Sequence, residues 1–227
     1  MPRPRKARQP VERPESMADP KPSPASAARL SLYLRCLEGW RREGIAKVSS
    51  SQIAELLGLS DAQVRKDIGY LGSIGQPGIG YKVQDLVAAI REALGINREW
   101  RAILVGVGNL ARALLRYQGF REQGFQIVGL FDADPSKIGQ RVEGLTVQPL
   151  TELKKKAIEL KAELALLTVP AEAAQAVAEA LVEARIRGIL NFAPAVLRLP
   201  ARVRLVNVDL AIQLEQLAFQ VQLSNMA

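Results

Sequence analysis

The sequence predicts a two-domain α/β protein, with an N-terminal winged helix-turn-helix domain followed by a doubly wound parallel sheet. Three observations predict this fold. The stretch "KVSSSQIAELLGLSDAQVRKDIGYLG" has the spacing of a helix-turn-helix and precedes a glycine-rich segment. The stretch "AILVGVGNLARALL" is an apolar strand that enters a Gly-x-Gly turn and leaves as a helix. Apolar strands then alternate with helical stretches, which is typical of a parallel sheet covered on both faces.

Composition narrows the class of protein and excludes several kinds of site. The 227 residues, 48% of them hydrophobic and 24% charged, are enough for two small domains with real cores. The chain has no histidine and one cysteine, Cys36. This excludes Ser-His-Asp and Cys-His nucleophile systems, zinc sites with histidine or several thiolate ligands, and a disulfide within the chain. We therefore predict that the protein binds no metal.

Charge and hydropathy predict a class of partner and a location. The net charge of +8 suits a polyanionic partner. No apolar run reaches the roughly 18 residues of a membrane span. The N-terminus "MPRPRKARQP" has charge but lacks the apolar segment of a secretory signal. We therefore expect no membrane partner and a cytoplasmic protein.

Residues 1–25 are a predicted disordered basic tail. Seven of the 13 prolines lie in residues 1–24, where proline opposes helix and strand and little apolar area is available for burial. Two interpretations stay open: an arm that touches DNA phosphates, or a solvated extension, which the composition favours.

Residues 26–96 are the first predicted domain, and a helix-turn-helix lies within it. Ala54, Gly58 and Val64 have the spacing of this motif: a small residue where two helices cross, a permissive backbone at the turn, and a buried residue in the second helix. Ser60 is placed to cap that second helix, with Gln63 as its capping-box partner. The following "GSIGQPGIGYKV" holds four glycines and one proline, a composition that predicts the tight hairpin of a wing.

The polar face of the second helix is the predicted contact with double-stranded DNA. Gln63, Lys66 and Tyr70 lie opposite the buried stripe, with Arg65 adjacent, and such side chains reach base edges and phosphates in a major groove. Each charge taken singly fits a solvated helix face better, and only the ordered combination of motif, basic helix and wing favours DNA. The predicted DNA-binding residues are Ser50, Ser51, Ser60, Gln63, Arg65, Lys66, Tyr70 and Lys82.

A dinucleotide-binding turn opens the second predicted domain, residues 97–208. "GVGNLA" follows the strand "RAILV" and opens the helix "NLARALLRY". Gly106 permits the tight turn, Gly108 lets the backbone approach a pyrophosphate, and Ala111 lets the helix pack closely on the strand. The amides at the helix N-terminus then bind phosphate. In its strand–turn–helix context, this G-x-G-x-x-A match predicts a Rossmann-type doubly wound parallel sheet domain.

An acidic residue at the end of the next strand predicts which dinucleotide binds. Asp132 in "GLFDADP" lies 21 residues after Ala111, close to the spacing expected for the acid that accepts the ribose hydroxyls. An acid there repels a 2′-phosphate, so NAD(H) is favoured over NADP(H). Asp134 is the alternative ribose acid, although capping of a helix before Pro135 explains it better.

Other cofactor contacts are predicted at the carboxyl ends of later strands, where folds of this class place ligands. "LLTVPAEAA" and "ILNFAPA" end the fourth and fifth of six candidate strands, which are "RAILV", "QIVGLF", "GLTVQ", "LALLTV", "RGILNF" and "VRLVNV". Ordinary loop chemistry explains the residues of these two loops equally well. The predicted NAD(H)-binding residues are Gly106, Val107, Gly108, Asn109, Leu110, Ala111, Asp132, Lys137, Thr168, Val169, Pro170, Asn191, Phe192 and Pro194.

The sequence does not supply the proton donor or acceptor that a dehydrogenase needs beside the nicotinamide. Histidine is absent, and Tyr117 in "LLRYQGF" has no lysine four residues later. The six strands extend to about Val208 and the preceding residues belong to the winged helix, so no substrate domain remains. Binding without turnover is the simpler interpretation, and we predict no catalytic residue.

From about Ala27 onward the chain resembles the bacterial redox-sensing transcriptional repressor family Rex. The resemblance is carried, in one order, by "LSLYLRCL", "VSSSQIAELLGLSDAQVRKDIGYLGSIGQPGIGYKV", "ILVGVGNLARALL", "FDADPSKIG", "LLTVPAEAAQ", "GILNFAPAVL" and "VNVDLAIQLEQL". It implies a homodimer that represses genes of respiration and fermentation, with NADH releasing it from DNA and NAD permitting binding. Such a dimer is expected to bind a pseudo-palindromic operator.

The resemblance also implies a swapped C-terminal helix and a switch. The family exchanges its last helix, here residues 209–227, between subunits. The apolar residues of "DLAIQLEQLAFQVQL" lie on more than one side, as a helix with more than one partner surface requires. By the same resemblance, Asp209 alternates between Arg35 in the DNA-bound form and Tyr117 in the NADH form. The alternative is that Asp209 caps its helix, Arg35 is solvated and Tyr117 belongs to the core.

Two other functions fit the same motifs. One is a small NAD-dependent oxidoreductase with a DNA-binding domain attached, which turnover of NADH with carbonyl substrates would reveal. The other is a regulator that senses coenzyme A or another nucleotide, since related domains bind coenzyme A at a similar turn. Titration calorimetry with NADH, NAD, NADPH and coenzyme A separates these functions.

Overall fold

The structure, a computed structural model, describes residues 22–75 and 79–224. The chain divides into two units between Asn97 and Arg98, one residue from the predicted boundary. Each unit is described by itself.

The first helix, α1 (Pro24–Arg42), begins two residues inside the predicted tail. The Ser23 Oγ accepts the backbone N–H of Ser26 at 3.1 Å and so caps the helix, and Pro24 suits the first turn because no helical partner exists there for its missing N–H. The predicted tail up to residue 21 lies outside the described residues. One face of α1 supplies much of the core of this unit, through Leu30, Tyr33, Leu34 and Leu37.

The remainder of the first unit has the order that the sequence predicts. Its elements are β1 (Lys47–Val48), α2 (Ser50–Leu57), α3 (Asp61–Gly69), β2 (Tyr81–Lys82) and α4 (Val83–Ala93). β1 and β2 pair antiparallel, with Lys47 opposite Lys82. This ribbon is the base of the predicted wing, of which residues 76–78 lie outside the described part of the chain.

The turn between α2 and α3 has the backbone that the helix-turn-helix requires. Gly58 has a left-handed φ of +63°, and the N–H of the next residue, Leu59, donates to the Ala54 carbonyl at 2.9 Å, which closes α2. Ala54 and Val64 are both buried, which is consistent with close packing at the motif.

The caps of the two helices correct one prediction. Ser60 Oγ accepts the Gln63 N–H at 3.2 Å and caps α3, but the predicted capping box is wrong. The Gln63 side chain does not return to Ser60; it donates to Asp67 instead. A capping box occurs one helix earlier, where Ser49 and Gln52 exchange both hydrogen bonds.

The second unit contains the doubly wound sheet. Its elements are β3 (Trp100–Val105), α5 (Asn109–Arg116), α6 (Gln118–Glu122), β4 (Phe125–Asp132), β5 (Arg141–Val142), β6 (Leu145–Pro149), α7 (Leu153–Glu159), β7 (Leu164–Leu167), α8 (Ala171–Glu183), β8 (Gly188–Asn191), β9 (Arg204–Asn207) and α9 (Leu210–Ser224). The strand order is β5-β6-β4-β3-β7-β8-β9. The six predicted strands are all present and run parallel. Numbered along the chain, their order is 3-2-1-4-5-6, which confirms the predicted fold class.

β5 is an addition that the sequence did not predict. It pairs antiparallel with β6 across a two-residue turn at Glu143 and Gly144. Both turn residues have positive φ, +46° and +83°, as the common two-residue hairpin requires.

Each face of the sheet has its own core, because alternate residues of a strand point to opposite faces. Ile103 and Val105 of β3 pack with side chains of α7 and α8, whereas Ala102 and Leu104 pack with α5. On the α5 face an apolar groove of about 310 Å³ remains over β3, β7 and β8. This sheet groove is lined mainly by Ala102, Phe120, Ile127, Leu164, Leu166 and Leu190.

The last helix, α9, has no buried residue. All of its large apolar side chains are exposed, from Leu210 to Leu223. Among the described residues, no helix combines the length and the apolar character needed to cross a membrane.

Candidate functional site

The glycine-rich turn lies between β3 and α5, at the carboxyl ends of the strands. Gly106 has φ +92°, and a Cβ there would lie 2.5 Å from the Thr168 carbonyl oxygen, so a larger residue is excluded. A Cβ on Gly108 would meet no atom within 4 Å, so space remains outside the turn. Ala111 is fully buried where α5 packs on the sheet. This is the geometry that a pyrophosphate-binding turn needs.

A cleft of about 410 Å³ opens beside this turn. The ends of β3, β4, β7 and β8 contribute to its wall, which is the place where doubly wound folds bind ligands. The predicted residues that line it are Gly106, Gly108, Leu110, Asp132, Lys137, Thr168, Val169, Pro170 and Phe192. Lining residues that the sequence did not indicate are Val105, Ala133, Leu150, Ala173 and Val177. Val105, next to Gly106, and Ala133, next to Asp132, carried a signal of position that could have found them, and Ala173 lies within the quoted "LLTVPAEAA".

The other predicted cofactor residues do not line the cleft. Val107, Ala111 and Asn191 are buried, whereas Asn109 and Pro194 are exposed. The backbone N–H of Val107 is nevertheless part of the site, because it holds the carboxylate described next.

Asp132 is the buried acid of the cleft. Its Oδ2 accepts the Val107 N–H at 2.6 Å and the Lys137 Nζ at 3.1 Å, and its Oδ1 accepts the Asp134 N–H at 2.9 Å. Burial raises the pKa of the Asp132 carboxyl, but these hydrogen bonds and the Lys137 charge outweigh burial and hold that pKa below its ordinary value. Asp132 therefore stays ionised at neutral pH.

Asp134, the alternative ribose acid, is engaged in its own turn. Its Oδ1 accepts both the N–H and the Oγ–H of Ser136, at 2.9 and 2.7 Å. The carboxylate caps a turn and not a helix, and it does not line the cleft. These contacts favour Asp132 over Asp134 as the ribose ligand.

The side-chain amide of Asn191 is occupied by hydrogen bonds within the protein. Its Oδ1 accepts the Ala193 N–H at 3.0 Å, and its Nδ2 donates to the Ala193 carbonyl at 3.1 Å and to Asn207 Oδ1 at 3.0 Å. The side chain ties the end of β8 to the end of β9, which leaves it little capacity for a ligand.

The polar side chains that line the cleft are already paired within the protein. The two charged lining residues, Asp132 and Lys137, pair with each other. The Thr168 hydroxyl lies 2.7 Å from the Gly106 carbonyl and 3.0 Å from the Val105 carbonyl, so its proton is donated to the backbone. The lining residues thus provide no unpaired acid or base for proton transfer. Within the described residues, no group of acidic, cysteine or histidine side chains could hold a metal ion.

The exposed face of α3 is the candidate nucleic-acid surface. Its exposed members are Ala62, Arg65, Lys66 and Gly69. Arg65 pairs with Asp61 at 2.9 Å while remaining mostly exposed. Tyr70 and Gln63 are only half-buried at the edges of this face and not at its centre, where the helical pattern had placed them.

The remaining predicted DNA residues frame this face within the first unit. Ser50 and Ser51 are the first residues of α2, half-buried and exposed respectively. The hydroxyl oxygen of Ser60 accepts the hydrogen bond that caps α3. Lys82 lies in β2 opposite Lys47, a second exposed lysine that the sequence did not single out.

A buried hydrogen-bond network behind α3 is a feature that the sequence did not indicate. The Asp67 side chain is fully buried and accepts hydrogen bonds from Arg29, Tyr33 and Gln63. Burial raises the pKa of Asp67, but the hydrogen bonds, chiefly from Arg29, outweigh it and lower that pKa. We call these four residues the Asp67 network.

The three predicted switch residues have separate surroundings. Asp209 caps α9, since its Oδ1 accepts the N–H groups of Ala211 and Ile212 at 2.9 and 3.2 Å. Tyr117 is 53% exposed and packs edge-on against Phe120. Arg35 is exposed on α1.

Comparison with protein families gives one match for each unit. Residues 22–68 match a family described as putative DNA-binding protein N-terminus. Residues 97–195 match a family described as CoA binding domain. The first match covers the helix-turn-helix and the second covers the cleft.

Over most of its length the chain is similar to repressors. The redox-sensing transcriptional repressor Rex of Desulfitobacterium hafniense is 48% identical over 197 residues, which cover 87% of this chain and 94% of that protein. RSP, a Rex-family repressor, is similar in its complex with β-NAD⁺ and operator DNA, with a TM-score of 0.84 at 31% identity, covering 90% of this chain and 94% of that one. Its complex with β-NADH gives a TM-score of 0.80 at 29% identity, covering 90% and 96%.

Proposed function

Because the chain belongs to the Rex family of redox-sensing transcriptional repressors, we propose that it is a DNA-binding repressor controlled by NADH. NADH binds in the cleft and releases the protein from its operator, while NAD permits DNA binding. One observation carries this function. The same chain contains two features: a helix-turn-helix whose exposed face is basic at Arg65 and Lys66, and a dinucleotide cleft that contains the buried acid Asp132.

The ionised Asp132 favours NAD(H) over the other nucleotides considered. It lies at the end of β4, where this fold places the ribose ligand. NADP(H) carries a 2′-phosphate on that ribose and coenzyme A carries a 3′-phosphate, and a carboxylate repels both. The amides at the N-terminus of α5 and the space beside Gly108 suit the pyrophosphate.

We infer that the protein binds the nucleotide without turning it over. Support comes from the lining of the cleft, where Asp132 forms an ion pair with Lys137 and Thr168 donates to the backbone. A dehydrogenase needs an acid or base within hydrogen-bond reach of its substrate. The lining residues therefore offer no free acid or base that could transfer the proton in an oxidoreductase reaction.

The repressor is proposed to act as a homodimer on a pseudo-palindromic operator. A two-fold dimer presents two α3 helices, so its half-sites are related by the same symmetry. Lys66 and Arg65 supply contacts to phosphates and base edges, and Lys82 supplies a phosphate contact from the wing. A protein that binds chromosomal operators works in the cytoplasm, which is the location we propose.

The C-terminal helix supports a swapped dimer. Seven large apolar side chains of α9 have 47–67% of their surface exposed: Leu210, Ile212, Leu214, Leu217, Phe219, Val221 and Leu223. Burying the exposed half of one such side chain contributes about 1 kcal/mol, so the whole helix gains several kcal/mol on a partner surface. We propose that α9 packs on a second copy of the chain, where the sheet groove offers an apolar surface.

The switch is proposed to use the acid that begins α9. The Oδ1 atom of Asp209 accepts the hydrogen bonds that cap α9, whereas its Oδ2 accepts no hydrogen bond from the described residues. Oδ2 can therefore accept from the guanidinium of Arg35 in the DNA-bound form or from the exposed phenol of Tyr117 in the NADH form. This arrangement makes the cap and the switch compatible roles of one carboxylate.

Two titrations test the function. Calorimetry with NADH, NAD, NADPH and coenzyme A should give the tightest binding for NADH. Fluorescence anisotropy on a duplex that the protein selects from a randomised palindromic library should show release on addition of NADH and not of NADPH. Tight binding of coenzyme A without NADH binding, or steady turnover of NADH with a carbonyl substrate, would replace this proposal with one of the alternatives.

The switch has its own test, because coupling between two ligands is reciprocal. NADH should weaken DNA binding by the same factor by which DNA weakens NADH binding. In Asp209→Ala both factors should shrink together while the dimer stays intact by light scattering. If this variant keeps full NADH-driven release, Asp209 is only a helix cap.

A further inference from the structure

The Asp67 network joins α3, the second helix of the helix-turn-helix, to α1 through one carboxylate. Arg29 donates to it twice, Nε to Oδ2 at 2.6 Å and Nη2 to Oδ1 at 2.8 Å. The Tyr33 hydroxyl donates to Oδ2 at 2.8 Å, and Gln63 Nε2 donates to Oδ1 at 3.1 Å. Asp67 and Tyr33 are both fully buried. Asp67 therefore receives four hydrogen bonds in the interior, from α1 and from its own helix.

Stability alone does not account for such a group. A buried ion pair can often be replaced by apolar residues without loss of stability, because desolvation offsets the attraction between the charges. The best-attested use of a buried charge is to fix one arrangement among several. Here the arrangement that is fixed includes the amide of Gln63, which lies at the edge of the exposed face of α3.

The chemistry of the pair determines which way the Gln63 amide is turned. A carboxylate only accepts hydrogen bonds, and the amide has a donor NH₂ on one side and an acceptor oxygen on the other. A flipped amide would place its oxygen against Asp67 Oδ1, acceptor against acceptor. The NH₂ group must therefore face Asp67. The Gln63 Oε1 accepts no hydrogen bond from the described residues and is not among their buried unsatisfied atoms, so it reaches solvent.

We propose that Asp67 is a positioning residue for DNA reading, which holds Gln63 so that its oxygen, and not its NH₂ group, leads into the major groove. This inference rests on the proposed DNA contact of α3. Adenine N6 and cytosine N4 present amino donors in the major groove, whereas guanine O6 and thymine O4 present keto acceptors. A fixed oxygen accepts from an amino group and opposes a keto group. Gln63 thus selects amino over keto bases at one position of each half-site.

Operator variants test this preference with the full-length protein. The probe is a duplex selected from a randomised palindromic library by the wild-type protein, then substituted one base pair at a time in both half-sites. Wild type should show one position where an amino base is preferred to a keto base by about tenfold, the range of a single base contact. Gln63→Ala should abolish the preference at that position only. A Gln63→Ala profile identical to wild type at every position would overturn the proposal.

Two further variants separate orientation from folding. Asp67→Asn can turn an NH₂ group toward Gln63 and so allow the Gln63 amide to flip. The ratio of affinities for amino and keto bases at that position should then fall toward one. When Gln63→Ala is already present, adding Asp67→Asn should not change this ratio further. Combining Asp67→Asn with Gln63→Glu exchanges the donor and the acceptor of this pair: the amide introduced at position 67 can donate to the glutamate, whose second oxygen still faces outward. This double variant should therefore keep the amino preference even if overall affinity falls. Loss of the preference in the folded double variant would overturn the proposal.

Asp61→Asn is the matched control. It makes the same change of charge on the same helix, in a residue that pairs with Arg65 and not with Gln63, so it should leave the ratio unchanged. Active protein is counted by stoichiometric titration, because partial unfolding lowers the bound fraction but not a ratio of affinities. Wild type that binds no selected duplex would reject the proposed DNA contact itself. Wild type that binds, with an unchanged ratio in folded Asp67→Asn, would reject only the role of Asp67.

Discussion

Replacing Asp132 with asparagine tests whether this carboxylate binds the ribose and separates NADH from NADPH. A carboxylate has about four acceptor positions. Three donors already use Asp132: the Asp134 N–H on Oδ1, and the Val107 N–H and the Lys137 Nζ on Oδ2. About one position remains, so Asp132 can accept one ribose hydroxyl while Lys137 keeps its place.

The expected loss follows from that single position. One hydrogen bond to a charged group contributes about 1.5–3 kcal/mol, which corresponds to about 10- to 150-fold in affinity. Asp132→Asn removes the charge and keeps the size of the side chain, so NADH binding should weaken by this range at most. The change also removes the repulsion of a 2′-phosphate and frees Lys137 to attract it, so NADPH binding should hold or improve.

Lys137→Met is the companion variant with the opposite expected sign. It leaves Asp132 ionised and frees an acceptor position, so the preference for NADH over NADPH should rise. Calorimetry with both dinucleotides gives the dissociation constants, on protein that thermal melting shows to be folded. An NADH-to-NADPH ratio that is equal in wild type and Asp132→Asn would refute the reasoning and make Asp134 the next residue to test.

Three further predictions concern DNA, helix ends and pH. Lys66→Ala should lower the slope of log affinity against log salt by about one unit, whereas Lys155→Ala, an exposed lysine on α7, should not; equal slopes would remove Lys66 from the interface. Lys161→Gly and Arg185→Gly should each raise the free energy of unfolding by about 0.5–1 kcal/mol, because both residues follow helices with positive φ, +51° and +64°; a denaturant titration without a gain contradicts this. Burial and the Asp67 hydrogen bond raise the pKa of Tyr33 to about 12. The folded protein therefore loses stability relative to the unfolded chain as pH rises from the ordinary tyrosine pKa of about 10 toward 12. The free energy of unfolding should fall less between pH 9 and pH 11 in Tyr33→Phe than in wild type.

The parts of the fold that the sequence predicts are those set by short-range pattern. Six apolar segments become six parallel strands. In the central strands β3 and β7 most residues are buried, and a strand buried on both faces needs a continuous apolar run. Gly58 and Gly106 mark the two decisive turns, because each takes a positive φ that a side chain disfavours. β5 escaped prediction, since two residues are too few to show a period.

The interactions that the sequence does not predict join residues far apart in the chain. Asp67 looks like one charge on a solvated basic helix, yet Arg29 and Tyr33, from a different helix, hold it in the interior. Gln63 shows the consequence. The local capping-box pattern assigns it to Ser60, but its amide donates to Asp67. The local rule failed because a buried charge needs donors more strongly than an exposed helix end does.

The contacts at the end of β8 give the cleft a physical route to α9. Phe192 lines the cleft, and Asn191 beside it holds the end of β9 twice, through its carbonyl to the Val208 N–H at 2.8 Å and through its Nδ2 to Asn207 Oδ1 at 3.0 Å. The next residue, Asp209, caps α9. A ligand shifts an equilibrium only by its difference in affinity for the two states. NADH can therefore change DNA binding only if it binds more tightly to one of two conformations of the protein, and the contacts from β8 to α9 are where these conformations can differ. That requires contacts with the nucleotide and no chemical step, so a cleft whose charged residues are already paired is sufficient for a repressor.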